Sequence, residues 1–204
     1  SENRNINRTY PGKADGTLTE MMSYGIVQLI NTENIDVTVD LHEASPEYPV
    51  INALIAHERA MNLASNVVVD MQMEGVQISL EPSPTDLRGL THRELGDHTD
   101  TLALLMEAPN PAQGRLRDRT DEALVLTGKS ETYVKAGEIG QLYVPYDENG
   151  WPIEVRCARH VFGIERILAN YSEMYEEPII VTGMPSYDEL VKNGMGPYLN
   201  EPTT

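Results

Sequence analysis

Cysteine is nearly absent from this 204-residue chain: Cys157 stands alone, so no internal disulfide can form. A reducing compartment is compatible with that, and a cytoplasmic location is the expectation. Cations are scarce too. Fifteen Lys and Arg face 32 Asp and Glu, a formal net charge of -17. A nucleic-acid binder needs a cationic surface that displaces counterions, so this balance argues against nucleic acid and against anionic membrane surfaces. An anionic ligand is held only where a local Arg cluster overrides the global field. No apolar run approaches the ~18 residues of a membrane span, and there is neither an internal repeat nor a low-complexity segment.

What is present alternates helix-like with strand-like stretches. That predicts one α/β domain over residues 1–204, with a mixed, largely parallel sheet flanked by helices. Thr17-Leu-Thr-Glu20 reads as a capping box opening a helix whose Met21, Tyr24, Val27 and Ile30 share an apolar face. The β-branched run Ile35–Leu41 predicts a buried strand that delivers His42 and Glu43. Strands are expected over Val50–Ala56 and Val76–Leu80, with a helix over Glu58–Met73 stopped by Gly75. Pro82 and Pro84 open a polar loop carrying Arg88, His92, Arg93, His98 and Asp100. Thr101–Met106 fits a central strand ending in Glu107, and a Pro-rich loop follows. Then come a helix over Arg117–Leu126, a surface excursion over 128–150, a long amphipathic helix over Pro152–Tyr175, a last strand at Ile179–Val181, and a short helix between Ser186 and Gly194.

In open α/β sheets, ligands bind beyond the C-terminal ends of strands. Two such ends carry reactive side chains, His42 and Glu107. Asp40 lies two residues before His42, on the same side of an ideal strand, and can orient the imidazole. Arg4 and Arg8 bracket Asn7 ahead of a Pro11-Gly12 turn, and guanidinium groups grip carboxylates bidentately. Taken singly, each has an ordinary reading: a structural histidine, a solvated glutamate, a charged terminus. His92, Asp97, His98 and Asp100 are ligand types in one loop, without the spacing of a metal motif. His160 lies among Arg156, Arg159 and Arg166, a pattern expected of a solvated basic face or a charged contact; His57 and Cys157 read as ordinary structural residues.

Read in order, Asn7-Arg8 before an aromatic and Pro-Gly, Asp40-Leu41-His42 at a strand end, and Glu107-Ala-Pro-Asn-Pro-Ala-Gln-Gly114 resemble the zinc carboxypeptidase-like hydrolases. The resemblance covers roughly the first 120 residues and is closer to the succinylglutamate desuccinylase/aspartoacylase branch. It implies a zinc carboxypeptidase-like fold and cleavage of an amide bond in a small acidic N-acyl amino acid or peptide. His42 matches a Zn2+ ligand. Glu107 matches the general base that takes a proton from the attacking water. Asn7 and Arg8 match the pair that holds the substrate carboxylate, and Arg4 the arginine that polarises the scissile carbonyl. From placement, Arg88 and Arg93 are candidates for a second substrate carboxylate. Action on peptide C-termini uses the same residues, and a non-catalytic module that kept the fold is the remaining alternative.

The pattern departs from the family at one point. The other two Zn2+ ligands belong to a His-x-x-Glu motif ahead of Asn-Arg, and no such motif occurs here. His57-Glu58 are adjacent, His92-Arg-Glu94 is one residue short, and His160 is followed by Val-Phe-Gly. The expectation is the C-terminal part of a catalytic domain, incomplete at its N-terminus, which associates with the segment it lacks; an oligomer is compatible with the composition.

Overall fold

Side-chain caps decide where the helices of this chain begin. In the computed structural model, which describes residues 5–199, Thr17 and Glu20 form the reciprocal capping box and start α1, Leu18–Glu33. Its inward face is Ser23, Val27 and Ile30, whereas Met21 and Tyr24 are exposed. Ser186 and Glu189 repeat the capping box at α7, Tyr187–Asn193.

Four strands form the sheet: β1 (Val37–Ala44), β2 (Ala53–Ala56), β3 (Ser79–Pro82) and β4 (Leu102–Pro109), in the spatial order β1-β4-β2-β3. The pairs β1/β4 and β2/β3 are parallel, and only β2/β4 is antiparallel. The architecture is therefore α/β with a mixed, mostly parallel sheet. Residues 104 and 106 of β4 face α2 (Met61–Met73) and α6 (Ile153–Tyr175), in a core with Leu54, Leu63, Val67, Met71, Phe162 and Ile167. Ala103 faces the other way, toward Tyr10, Val27, Ile30 and Leu95. Strand alternation thus separates two chemical faces, with helices on both. None of the described helices is long and apolar enough to cross a membrane.

Several elements differ from the sequence reading. Asn52 takes a left-handed φ of 56° and spends its side chain on the Gln77 carbonyl, so the strand expected from Val50 starts at Ala53. Val76 and Ile78 are buried as a connector, and the strand they suggested lies at Ser79–Pro82. The polar loop after Pro84 contains α3, Thr91–His98, whose buried positions are mostly polar. The helix expected from Arg117 begins only at Glu122 (α4, Glu122–Thr127), where Asp121 supplies the cap. The excursion at 128–150 holds α5, Glu131–Glu138, and buries Tyr133 against Tyr146. Ile179–Val181 is exposed and forms no strand. An apolar triplet without a sheet edge beside it has no ladder to join.

A candidate active site on one face of the β1–β4 pair

The register of the two central parallel strands sets His42 directly opposite Glu107. Both side chains project to the face that carries α1 and α3, because Ala103 and Thr38, even-numbered steps away, belong to it. Glu107 therefore lies inside β4 rather than beyond it. Asp40, two residues before His42, shares this face as expected. Its Oδ2 lies 3.0 Å from His42 Nε2.

That contact assigns the tautomer. A carboxylate can only accept, so Nε2 carries the proton and, in the neutral ring, Nδ1 keeps its lone pair. The Asn7 amide nitrogen is farther from Nε2, at 3.4 Å, and cannot also donate to a protonated nitrogen. Nδ1 points toward Glu107, with Oε2 at 4.0 Å. The hydrogen bond to Asp40 raises the His42 pKa against the opposing effect of burial. Burial works to raise the Asp40 carboxyl, but hydrogen bonding, with His42 the largest source, outweighs it and leaves the group below its ordinary value. Glu107 is the exception. Burial is the largest influence on it, nearby Asp40 and Glu43 add to that, and its pKa is pushed up to about 7 despite His42.

Asn7 is buried at the edge of this group. Its Oδ1 accepts from the Thr91 backbone N–H at 2.6 Å and from the Thr91 hydroxyl at 2.8 Å, which leaves its amide turned toward His42. Gly89 makes that docking possible. Its φ is +84°, and a Cβ there would stand 2.6 Å from the Arg8 carbonyl oxygen. Arg8 is exposed, donates to the Asn7 carbonyl and is close enough to His42 to disfavour its protonation. The structure thus brings together Asn7, Arg8, Asp40, His42 and Glu107. Thr91 was missed by the sequence reading, since nothing in the spacing shows that a helix start eighty residues away would clamp Asn7. Arg4 lies outside the described residues.

Arg88 and Arg93 do not join this group. Arg93 is 4% exposed and donates to both carboxylate oxygens of Glu58, at 2.8 and 2.7 Å, and to Asp97 at 2.6 Å. Arg88 donates to Asp97 at 2.7 Å and to Glu94 at 2.9 Å. Their guanidinium groups are committed to the protein's own acids. The polar loop's other ligand types are committed as well: His92 is buried against Ser83 at 2.8 Å, His98 is 3.2 Å from Glu94, and Asp100 pairs with Arg59. Burial lowers the His92 pKa to about 4.

The basic stripe of α6 is not solvated. Arg156 is 1% exposed and donates to Glu43 at 2.8 Å, and Arg159 is buried between Asn52 and the Gln77 carbonyl, over the Trp151 ring. The His160 ring nitrogens are buried beside the His42 backbone, and burial lowers the ring's pKa against the opposing effects of Glu43 and of that backbone group. Cys157 is half-buried, and burial raises its thiol pKa. His57 caps the turn before α2 and contacts Asp97 and Glu58 at 3.1 Å each.

For a divalent metal, His42 Nδ1 is a fitting single ligand, held by Asp40 in the manner of a carboxylate–imidazole pair. Among the described residues, no three His, Cys, Asp or Glu side chains are placed to hold one ion. No family model, curated protein or solved structure matches the chain.

Proposed function

We propose that this chain carries the base and one metal ligand of a Zn2+-dependent amidohydrolase acting on N-acyl amino acids or small peptides. The observation that carries this reading is the His42–Glu107 register. An imidazole nitrogen with a free lone pair faces a carboxyl poised near neutrality, on one face of a hydrogen-bonded strand pair. The remaining Zn2+ ligands come from outside the described residues. β1 is an outer strand of the described sheet, so its free edge beside His42 offers backbone pairing to a further segment.

Bound Zn2+ would supply Lewis-acid polarisation of the scissile carbonyl and a water of lowered pKa. The chain's own residues do the rest. Asp40 fixes the His42 ring and its tautomer. Glu107 accepts a proton at Oε2 from the attacking water, whose oxygen bonds to the carbonyl carbon. As the C–N bond breaks, Glu107 returns the proton to the departing nitrogen. Arg8 and the Asn7 amide would hold the substrate carboxylate. Glu107→Gln in the metal-loaded protein should keep Zn2+ affinity within about threefold and cut turnover by roughly 10²–10⁴. Turnover equal to the parent's would overturn the role given to Glu107.

A further inference from the structure

Immediately after the Pro-rich loop that leaves β4, residues 115–119 alternate in exposure. Arg115, Arg117 and Arg119 face solvent while Leu116 and Asp118 are half-buried. Asp118 accepts from the Thr132 hydroxyl, which ties the strap to α5. The odd positions, Arg115, Arg117 and Arg119, are the exposed ones. They line a hollow of about 530 Å³ together with Asp118 and Thr120.

In a chain of net charge -17, arginines are ordinarily claimed by the protein. Arg59, Arg88, Arg93, Arg156 and Arg166 pair with its carboxylates, and Arg8, Arg117 and Arg159 donate to its carbonyls. Arg115 and Arg119 have no side-chain partner among the described residues. Two guanidinium groups without a protein acceptor, beside a third, make a local positive patch that attracts an anion.

The strap is also close to the candidate site. Gly114, at φ +86°, lies against Ser45, Glu47 and the Tyr133 hydroxyl, and the Arg115 N–H donates to Glu47 at 2.6 Å. Ser45 follows β1 and is three residues past His42, a span of about 10 Å of extended chain. We infer that Arg115, Arg117 and Arg119 form an anion-binding strap that takes a distal carboxylate of the substrate, beyond the one held near Asn7 and Arg8. This rests on reading the His42–Glu107 pair as a hydrolytic site. It narrows the substrate class to acyl or peptidyl groups with an acidic function several bonds from the scissile amide.

The test is binding of triglutamate, with trialanine as the uncharged control, by calorimetry at low and high salt. The full chain carries Glu107→Gln, so the readout is independent of turnover. Adding R115Q/R119Q removes two side chains that bond to nothing in the described structure, which protects the fold. The expected result is triglutamate binding that weakens with salt and is about three- to tenfold weaker in the R115Q/R119Q variant. Equal triglutamate affinity with and without R115Q/R119Q would overturn the strap, as would equal affinity for trialanine. Neither outcome touches the Glu107→Gln turnover test, so the two readings fail separately.

Discussion

Two charged regions of this molecule are built from the same residue types and arrive at opposite states. Around Arg93, each charge has its complement: Glu58 and Asp97 hold the guanidinium, Arg88 takes Asp97 and Glu94, and His57 touches two of the same acids. The hydrogen bond from Arg93 brings Glu58 down to about 2. Burial works to raise Asp97, but its bonds to Arg93, Arg88 and His57 outweigh it and hold the group far below its usual range. Around His42, two acids, Asp40 and Glu107, share a face of the sheet with one imidazole, and Glu107 has no cation bonded to it. Burial then lifts its pKa to about 7. The first region is compensated and inert. The second stores unmet demand for a positive partner, which is the condition a metal and a proton-transferring carboxylate require.

Arg93→Ala should break the contrast most strongly, since it strands Asp97 and Glu58 around a buried gap. A loss of about 3 kcal/mol in denaturant-measured stability is expected, the low end for a broken buried pair because the acids reach solvent. Glu107→Gln should do the reverse in the metal-free chain. A carboxyl at about 7 when folded and near its ordinary value when unfolded binds protons more tightly in the fold. Stability therefore falls as pH rises from about 4 to about 7. The Gln variant escapes that fall and should be more stable at pH 8, on the order of 2 kcal/mol, with little difference at pH 4. Equal stabilities at pH 8 would erase the distinction between the two regions.

Asp40→Asn removes the main cause of the raised His42 pKa, so ring NMR should show His42 titrating at lower pH, with a stability change of about 1 kcal/mol. The smallest effect is expected at Glu58. Its depressed pKa contributes stability that is complete above about pH 4 and is lost as pH falls toward about 2. Glu58→Gln should flatten that acid limb while costing under about 1 kcal/mol at neutrality, because the group is largely exposed.

The parts legible in the sequence were those governed by local rules. The Thr17 box, the Ser186–Gly194 helix and the long α6 needed only capping and periodicity, and Asp40 beside His42 needed only the period of a strand. Arg88 and Arg93 were drawn toward the site because a polar loop rich in arginine looks open. Whether a guanidinium faces ligand or an internal acid depends on Glu58, 35 residues away, and no local pattern carries that. The same holds for α6: its basic residues look solvated until Glu43, Asn52 and Gln77 are seen to consume them. Ile179–Val181 had strand composition without a neighbour, and composition alone does not make a ladder.

The facing of His42 and Glu107 has a genetic corollary. Their juxtaposition is counted out from Val37 and Leu102 by a run of backbone pairs, so it is a matter of reading frame within the sheet. A one-codon insertion or deletion between 102 and 107 that kept the strand's start in place would turn Glu107 to the α6 side and leave a neighbour facing the imidazole. Every side chain of the site would still be encoded, yet the pair would be gone. Such length changes in β1 or β4 should be as damaging as loss of either residue, whereas equal changes in the loop after Pro109 should be tolerated far better.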